Sequence, residues 1–143
     1  MKRSAQSIDE LTARLGHAGV APSANRLLVL EELAREPDDA TAQTLHKRLA
    51  DRGESIGLAT VYRALGTMSE AGVVDALPHG TNETCYRLCS DAHHHHLVCE
   101  RCHRVIELRG CPAEDWITRR ARREGFTVTG HRLEVTGVCS DCR

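Results

Sequence analysis

Apolar residues recur at three- and four-residue steps through the first half of the chain, the period of helices with one buried face. Ile8, Leu11 and Leu15 predict a helix over Ser7 to Gly19, and Pro22-Ser23 starts a second over Ala24 to Arg35. Pro37-Asp38-Asp39 breaks that segment. Thr41 then caps a third helix carrying Leu45 and Leu49 and closed by Gly53, and a fourth runs from Gly57 to Ala71 before Gly72. Two short runs follow, Val73 to Leu77 and Glu83 to Leu88, joined by Pro78-His79-Gly80-Thr81-Asn82, and they predict a hairpin.

From about Ser90 the period shortens. His93 to Cys99 and Arg104 to Leu108 read as extended, Pro112 to Glu124 as a helix, and the alternation from Phe126 to Val138 as one or two strands. The helix has Pro112 in its first turn, Glu114 and Asp115 at the positive end of its dipole, arginines at the other end, and Gly125 as terminator. No repeat or low-complexity linker separates the halves, so the boundary near Cys89 to Ala92 is a short hinge. The fold class that follows is α+β.

Composition narrows the possibilities. At 143 residues, with 41% hydrophobic and 27% charged positions, the chain has room for one large or two small soluble domains. Its longest apolar runs, such as Leu27 to Leu30, fall far short of a bilayer span, and Met-Lys-Arg-Ser followed by an amphipathic stretch leads us to expect no secretory signal. The expectation is a cytoplasmic protein without a membrane partner. Net charge is -1, and the basic and acidic residues balance in both halves, so nucleic-acid binding must rest on the placement of a few cations.

Seven cysteines and nine histidines are the unusual counts, and in a reducing cytosol they favour metal ligation over disulfides. Cys99-Glu-Arg-Cys102 and Cys139-Ser-Asp-Cys142 form two C-x2-C pairs, each able to aim two thiolates at one point. Together they make the closed tetrahedral site that structural zinc prefers, and would fasten the end of the chain's last strand to the start of the same small domain. The run His93-His94-His95-His96, if extended, sends His93 and His95 one way and His94 and His96 the other, so that one run can serve two metal sites. Asp75, Cys85, Cys89, Cys111, Glu114 and His131 are further candidate ligands that spacing alone does not apportion.

On the fourth helix Leu58, Val61, Leu65 and Met68 make one apolar stripe, leaving Thr60, Tyr62, Arg63 and Thr67 outward. A helix reached by a short Gly-containing connection and followed by a hairpin suits a winged helix-turn-helix reader. Its arginine can reach guanine and its aromatic ring a thymine methyl. A solvated face of a core helix fits the same residues.

Ile56-Gly57-Leu58-Ala59-Thr60-Val61-Tyr62-Arg63-Ala64-Leu65, Glu70-Ala71-Gly72-Val73-Val74, and His93 to Cys102 with Cys139 to Cys142 resemble the ferric uptake regulator family over nearly the whole chain. Within it the zinc uptake regulators are most similar, through Val74-Asp75, Tyr86-Arg87-Leu88-Cys89, the four histidines, and Glu114 two residues before Trp116. The resemblance implies a homodimeric, metal-responsive repressor with a winged-helix DNA-binding domain over residues 1–88, a hinge over 89–92, and an α/β dimerisation and metal-binding domain over 93–143. It implies one structural zinc on the four cysteines and two regulatory zincs per protomer. Asp75, Cys89, His94 and His96 are assigned to a hinge site, and His93, His95, Glu114 and His131 to a site in the dimerisation domain. The parity of the histidine run agrees with that division.

The expected function is a zinc-dependent repressor of zinc-acquisition genes that binds an inverted-repeat operator in double-stranded DNA through Thr60, Tyr62, Arg63 and Arg26. Ser23-Ala24-Asn25-Arg26 departs from the family's commoner Thr-x-Gln-Arg at that first contact. Cys85 and Cys111 lie outside the family pattern and read as ordinary thiols. The rivals are an iron or peroxide sensor of the same family and a zinc buffer or chaperone that never touches DNA. No catalytic residues or small-molecule substrate are expected, since the H-E-x-x-H helix and the zinc-deaminase pairing of H-x-E with P-C-x-x-C are both absent.

Overall fold

A computed structural model of the chain describes residues 6–35, 39–79, 82–89 and 93–143; residues 36–38 of the expected helix break and 90–92 of the expected hinge lie outside them. Two compact units result, Met1–Cys89 and Ser90–Arg143.

The first unit opens with α1 (Ile8–His17), whose Ser7 and Glu10 form a reciprocal capping box: the Glu10 amide donates to Ser7 Oγ at 3.2 Å and the Ser7 amide to the Glu10 carboxylate at 2.9 Å. Helix α2 (Ala24–Arg35) is followed by the short strand β1 (Ala40–Thr41) and α3 (Ala42–Asp51). Thr41 caps α3 as expected, its hydroxyl accepting from the Thr44 amide at 3.1 Å. Gly53, at φ 84°, then turns the chain toward α4 (Leu58–Glu70). His46 Nε2 of α3 sits 3.0 Å from the Ile56 carbonyl and pins that turn.

Beyond α4, β2 (Val74–His79) and β3 (Glu83–Leu88) pair antiparallel, and β1 adds to the far side of β3, giving the order β1-β3-β2. Pro78 and His79 extend the hairpin past the expected end at Leu77. One apolar cluster holds the unit together, with Leu11, Leu15, Leu30, Leu45, Val61 and Leu65 wholly buried. Burying one such side chain stabilises by about 1.5–3 kcal/mol. Into this core the unit also draws Glu32, 4% exposed, whose carboxylate lies 2.5 Å from Arg52 at the end of α3 and 3.4 Å from Arg35.

In the second unit β4 (His94–Cys99) lies between β5 (Val105–Arg109), antiparallel to it, and β6 (Glu134–Gly137), parallel to it. Helix α5 (Glu114–Arg123) follows β5 and lies within the long crossover that carries the chain from β4 to its parallel neighbour β6. Pro112 precedes the helix instead of entering its first turn: the Glu114 amide donates to the Cys111 carbonyl at 3.0 Å, closing a turn ahead of it. The alternation from Phe126 to Val138 yields a strand only over Glu134–Gly137. Residues 126–133 form no ladder, and Phe126 and Val128 stand exposed.

The units differ sharply in how they bury apolar surface. Among the described residues 24 apolar ones are buried, of which only Val98 and Cys99 belong to the second unit, and α5 buries none. Trp116, Phe126, Leu133 and Ile106 are 44% or more exposed there. Among the described residues no helix is long and apolar enough to cross a membrane.

Candidate metal centres and nucleic-acid interface

The four-cysteine cluster forms where β4 ends and where β6 runs out. The ligand atoms of Cys99, Cys102, Cys139 and Cys142 lie within 4.8 Å of one another. Cys102 and Cys139 sulfurs are 3.6 Å apart, close to the ~3.8 Å edge of a tetrahedron with ~2.3 Å zinc–sulfur bonds. The parallel register explains the meeting: Cys99 pairs with Gly137, and the Glu100 amide donates to the Gly137 carbonyl at 2.8 Å. The Arg101 guanidinium also donates to the Cys142 carbonyl, and Arg104 reaches Asp141 at 3.5 Å, clipping the two turns together.

In the first turn the His103 amide bonds back to the Cys99 carbonyl at 2.9 Å, and His103 itself adopts φ 60°, a left-handed conformation that histidine enters more readily than most residues. Backbone amides of Cys102 and Cys139 donating to the Cys99 sulfur hold its thiol down to about 6, favouring the thiolate that a metal needs. The Cys142 thiol is pushed up to about 12, chiefly by its contacts with the Cys139 and then the Cys102 sulfur.

A second cluster gathers at the other end of β4. His93, His95 and His131 bring their Nε2 atoms 3.2 Å from one another in all three pairings. A tetrahedral zinc bound at 2.0–2.1 Å needs its nitrogens about 3.3 Å apart, so the triangle fits the ion. Burial, reinforced by the neighbouring His93 and His131, lowers the pKa of His95 and keeps its ring in the neutral, metal-binding form. The fourth atom is the Cys111 sulfur, 3.1 Å from His131 Nε2, with all four ligand atoms within 4.8 Å of one another. Cys111 therefore does not stand apart from the histidines as the sequence reading expected. Glu114 lines the adjoining cavity with His93 and His131 and is absent from that four-atom set.

The expected hinge ligands divide between the units, and each pair comes together within its own. In the first, the Cys89 thiol donates to Asp75 Oδ1 at 2.8 Å, with the Cys89 backbone held by the Val73 carbonyl and by the Arg14 guanidinium. In the second, the His94 and His96 rings pack edge to face with centroids 4.8 Å apart, while His93 packs on His95 at 4.7 Å. That is the alternation the histidine run predicted. Cys85 joins none of these groups: it is buried on β3, its thiol pushed up to about 12 by burial and then by Asp39.

On α4, Val61, Ala64, Leu65 and Met68 are buried, with Tyr62 and Arg63 exposed. Arg63 donates to the Thr60 hydroxyl at 3.2 Å, which restrains a long side chain on the outward face. Arg26, half-buried, donates to the Ala21 carbonyl at 2.7 Å. The Glu32–Arg52 pair that braces the turn before α4 escaped the sequence reading, because Glu32 and Arg52 are twenty positions apart and neither falls in a motif.

The Ferric uptake regulator family profile matches residues 17–136. The chain belongs to that family. The Zinc uptake regulation protein of Mycobacterium tuberculosis is 44% identical over 126 residues, covering 88% of this chain and 97% of the relative. The Ferric uptake regulation protein of Escherichia coli K12 is 39% identical over 133 residues, covering 90% and 89%. Among solved structures, the ferric uptake regulator of Vibrio cholerae aligns with a TM-score of 0.63 at 35% identity, covering 90% of this chain and 98% of that one. Ferric uptake regulator family members are transcription regulators and not enzymes, and they bind DNA as dimers. The winged helix-turn-helix of α3, α4 and the β2–β3 hairpin, followed by an α/β unit rich in cysteine and histidine, is the architecture of that family.

Proposed function

We propose that this family member is a zinc-responsive repressor that binds an inverted-repeat operator as a zinc-loaded homodimer and shuts off zinc-acquisition genes. The observation that carries the reading is the Cys89 thiol resting on Asp75 at the last residue of the DNA-binding unit. A thiolate there favours zinc over ferrous iron, whose sites lean toward nitrogen and oxygen donors. The relative named as a zinc uptake regulation protein points the same way.

Cys99, Cys102, Cys139 and Cys142 would hold one structural zinc. Asp75 and Cys89 from one unit, with His94 and His96 from the other, would hold a regulatory zinc at the hinge. His93, His95 and His131, with Glu114 beside them, would hold another within the second unit. Bound zinc supplies a divalent charge and a fixed tetrahedral geometry. Shared ligation at the hinge restrains one unit against the other, and in a dimer that sets the spacing of two recognition helices. Such couplings amount to about 1–3 kcal/mol each, or roughly 5- to 150-fold in affinity. Thr60, Tyr62 and Arg63 would read base edges in the major groove, and Arg26 would meet the backbone. The exposed Trp116, Phe126 and Leu133 support a dimer surface on the second unit.

The test is elemental analysis of the purified protein with gel shifts on promoter DNA across buffered Zn(II), Fe(II), Mn(II) and Ni(II). Zinc-dependent binding at the lowest free-metal level is the expected result. Binding driven by Fe(II) instead would establish the iron-sensing alternative, and no metal-dependent DNA binding at all would leave a zinc buffer.

A further inference from the structure

Cys111 is the one residue of the second unit's nitrogen cluster with no place in the ligand sets drawn from the family pattern. Its position is nevertheless built. Gly110, at φ 76°, turns the chain out of β5, and the Cys111 carbonyl accepts from the Glu114 amide at 3.0 Å, so the turn that starts α5 fixes the cysteine backbone. The side chain is half-buried, with its sulfur 3.1 Å from His131 Nε2. Its sulfur belongs to a group of four donor atoms within 4.8 Å of one another, whose other three members form the 3.2 Å nitrogen triangle. A tetrahedron built on three nitrogens with one ~2.3 Å zinc–sulfur bond sets each sulfur–nitrogen edge near 3.6 Å, which a shift of a few tenths of an ångström provides.

We propose that Cys111 is the fourth metal ligand of this site, giving it three imidazoles and one thiolate, with Glu114 beside the metal and not on it. The proposal rests on the reading that His93, His95 and His131 hold zinc. Its consequence is chemical. An imidazole–carboxylate site accepts any borderline divalent ion, whereas a thiolate in the fourth position biases the site toward zinc and away from Mn(II) and Fe(II). Each regulatory site would then carry one thiolate of its own, Cys89 at the hinge and Cys111 here, and both would select the same metal.

Cobalt(II) is the probe, because thiolate ligation adds a near-ultraviolet charge-transfer band and tetrahedral geometry intensifies the visible bands. The titration uses full-length protein that retains its four-cysteine zinc, verified by zinc content, and carries Cys89→Ser so that the hinge offers no thiolate. The expected result is a charge-transfer band that saturates with cobalt at the histidine cluster, disappears in Cys111→Ser and Cys111→Ala, and persists in Glu114→Gln. Zinc competition against a chelator should show about a 100-fold or greater loss for Cys111→Ser, since losing a direct ligand exceeds the 10–100-fold typical of outer partners. Cobalt binding that His131→Ala removes but that shows no charge-transfer band, or a band that survives Cys111→Ala, would overturn the thiolate ligand and leave the three-histidine site standing. Cobalt uptake that His131→Ala leaves unchanged would overturn the site itself, and the thiolate with it.

Discussion

Replacing Cys102 by serine should unfold the second unit and spare the first. The structure sets the scale. Among the described residues of the second unit only Val98 and Cys99 are buried apolar positions, and α5 contributes nothing to a core. A structural zinc held by four thiolates contributes about 10–16 kcal/mol to folding, as much as the whole net stability of a typical domain at about 5–15 kcal/mol. A unit with so small a core has no reserve to lose that from. The first unit keeps its own continuous core around Leu30, Leu45 and Leu65, so its stability should stay within about 1 kcal/mol of wild type.

Native-state hydrogen exchange separates the two. Amides of Leu97, Val98 and Cys99 on β4, protected by both neighbouring strands in the wild type, should exchange at nearly unprotected rates in Cys102→Ser. Amides of Cys85 and Tyr86 on β3 should keep their protection. Zinc content should fall by the structural ion and by the regulatory ions whose histidine ligands lie in the same unit, and the dimer should dissociate with the second unit. A Cys102→Ser protein that kept β4 protection, its dimer and full zinc would refute the argument that the metal substitutes for a core.

Four further outcomes are expected. Arg63→Ala should cost about 1–3 kcal/mol on specific DNA and much less on random sequence, measured by fluorescence anisotropy; equal losses on both would make Arg63 a phosphate contact. Cys89→Ser and His94→Ala should leave a folded dimer that keeps its four-cysteine zinc and needs far more free zinc to bind DNA. His93→Ala should give a graded loss, and equal harm from His93 and His94 in zinc-buffered titrations would end the hinge mechanism. At the Glu32 pair, Arg52→Ala leaves a carboxylate that is only 6% exposed, whereas Glu32→Gln leaves arginines that are 43% and 50% exposed and can reach water. Urea melts should therefore show a loss of about 2–3 kcal/mol for the arginine change and about 1 kcal/mol for the glutamate change, the reverse order refuting the burial argument. Because burial holds the folded His95 below its ordinary value, the unfolded chain binds more protons on acidification. Protein holding only its four-cysteine zinc should lose second-unit stability as pH falls below about 6.5, seen in urea midpoints at successive pH values.

Much of this was legible from the chain. The bounds of α2, the Thr41 cap and the helix around Val61, Leu65 and Met68 followed from local spacing, because each is fixed by residues within one or two turns. The histidine parity was legible for the same reason, since alternation is a property of one strand. What resisted was set by distant partners. Residues 126–133 alternate like a strand, yet this stretch carries His131 round to His93 and His95 and leaves Phe126 and Val128 exposed, so its apolar positions follow no ladder. Cys111 reaches the cluster only because the turns after β5 and before α5 put it there, and spacing from the histidines holds no trace of that. The start of α5 was misplaced because Pro112 fits equally well in a turn just ahead of a helix and in the first turn itself.

The placement of β4 between β5 and β6 has a consequence for solubility. A strand paired on both sides offers no free backbone to another chain. Its partner β6 is short, exposed along most of its length, and anchored beyond its end by the cysteine turn. Were a metal on the four cysteines stripped and β6 to peel away, β4 would turn from an inner strand into an open edge bearing Leu97 and Val98, in a unit whose Trp116 is already bare. An edge of that kind is a template for strand addition, so chelation should be followed by intermolecular β-sheet growth and precipitation at rates that rise with protein concentration.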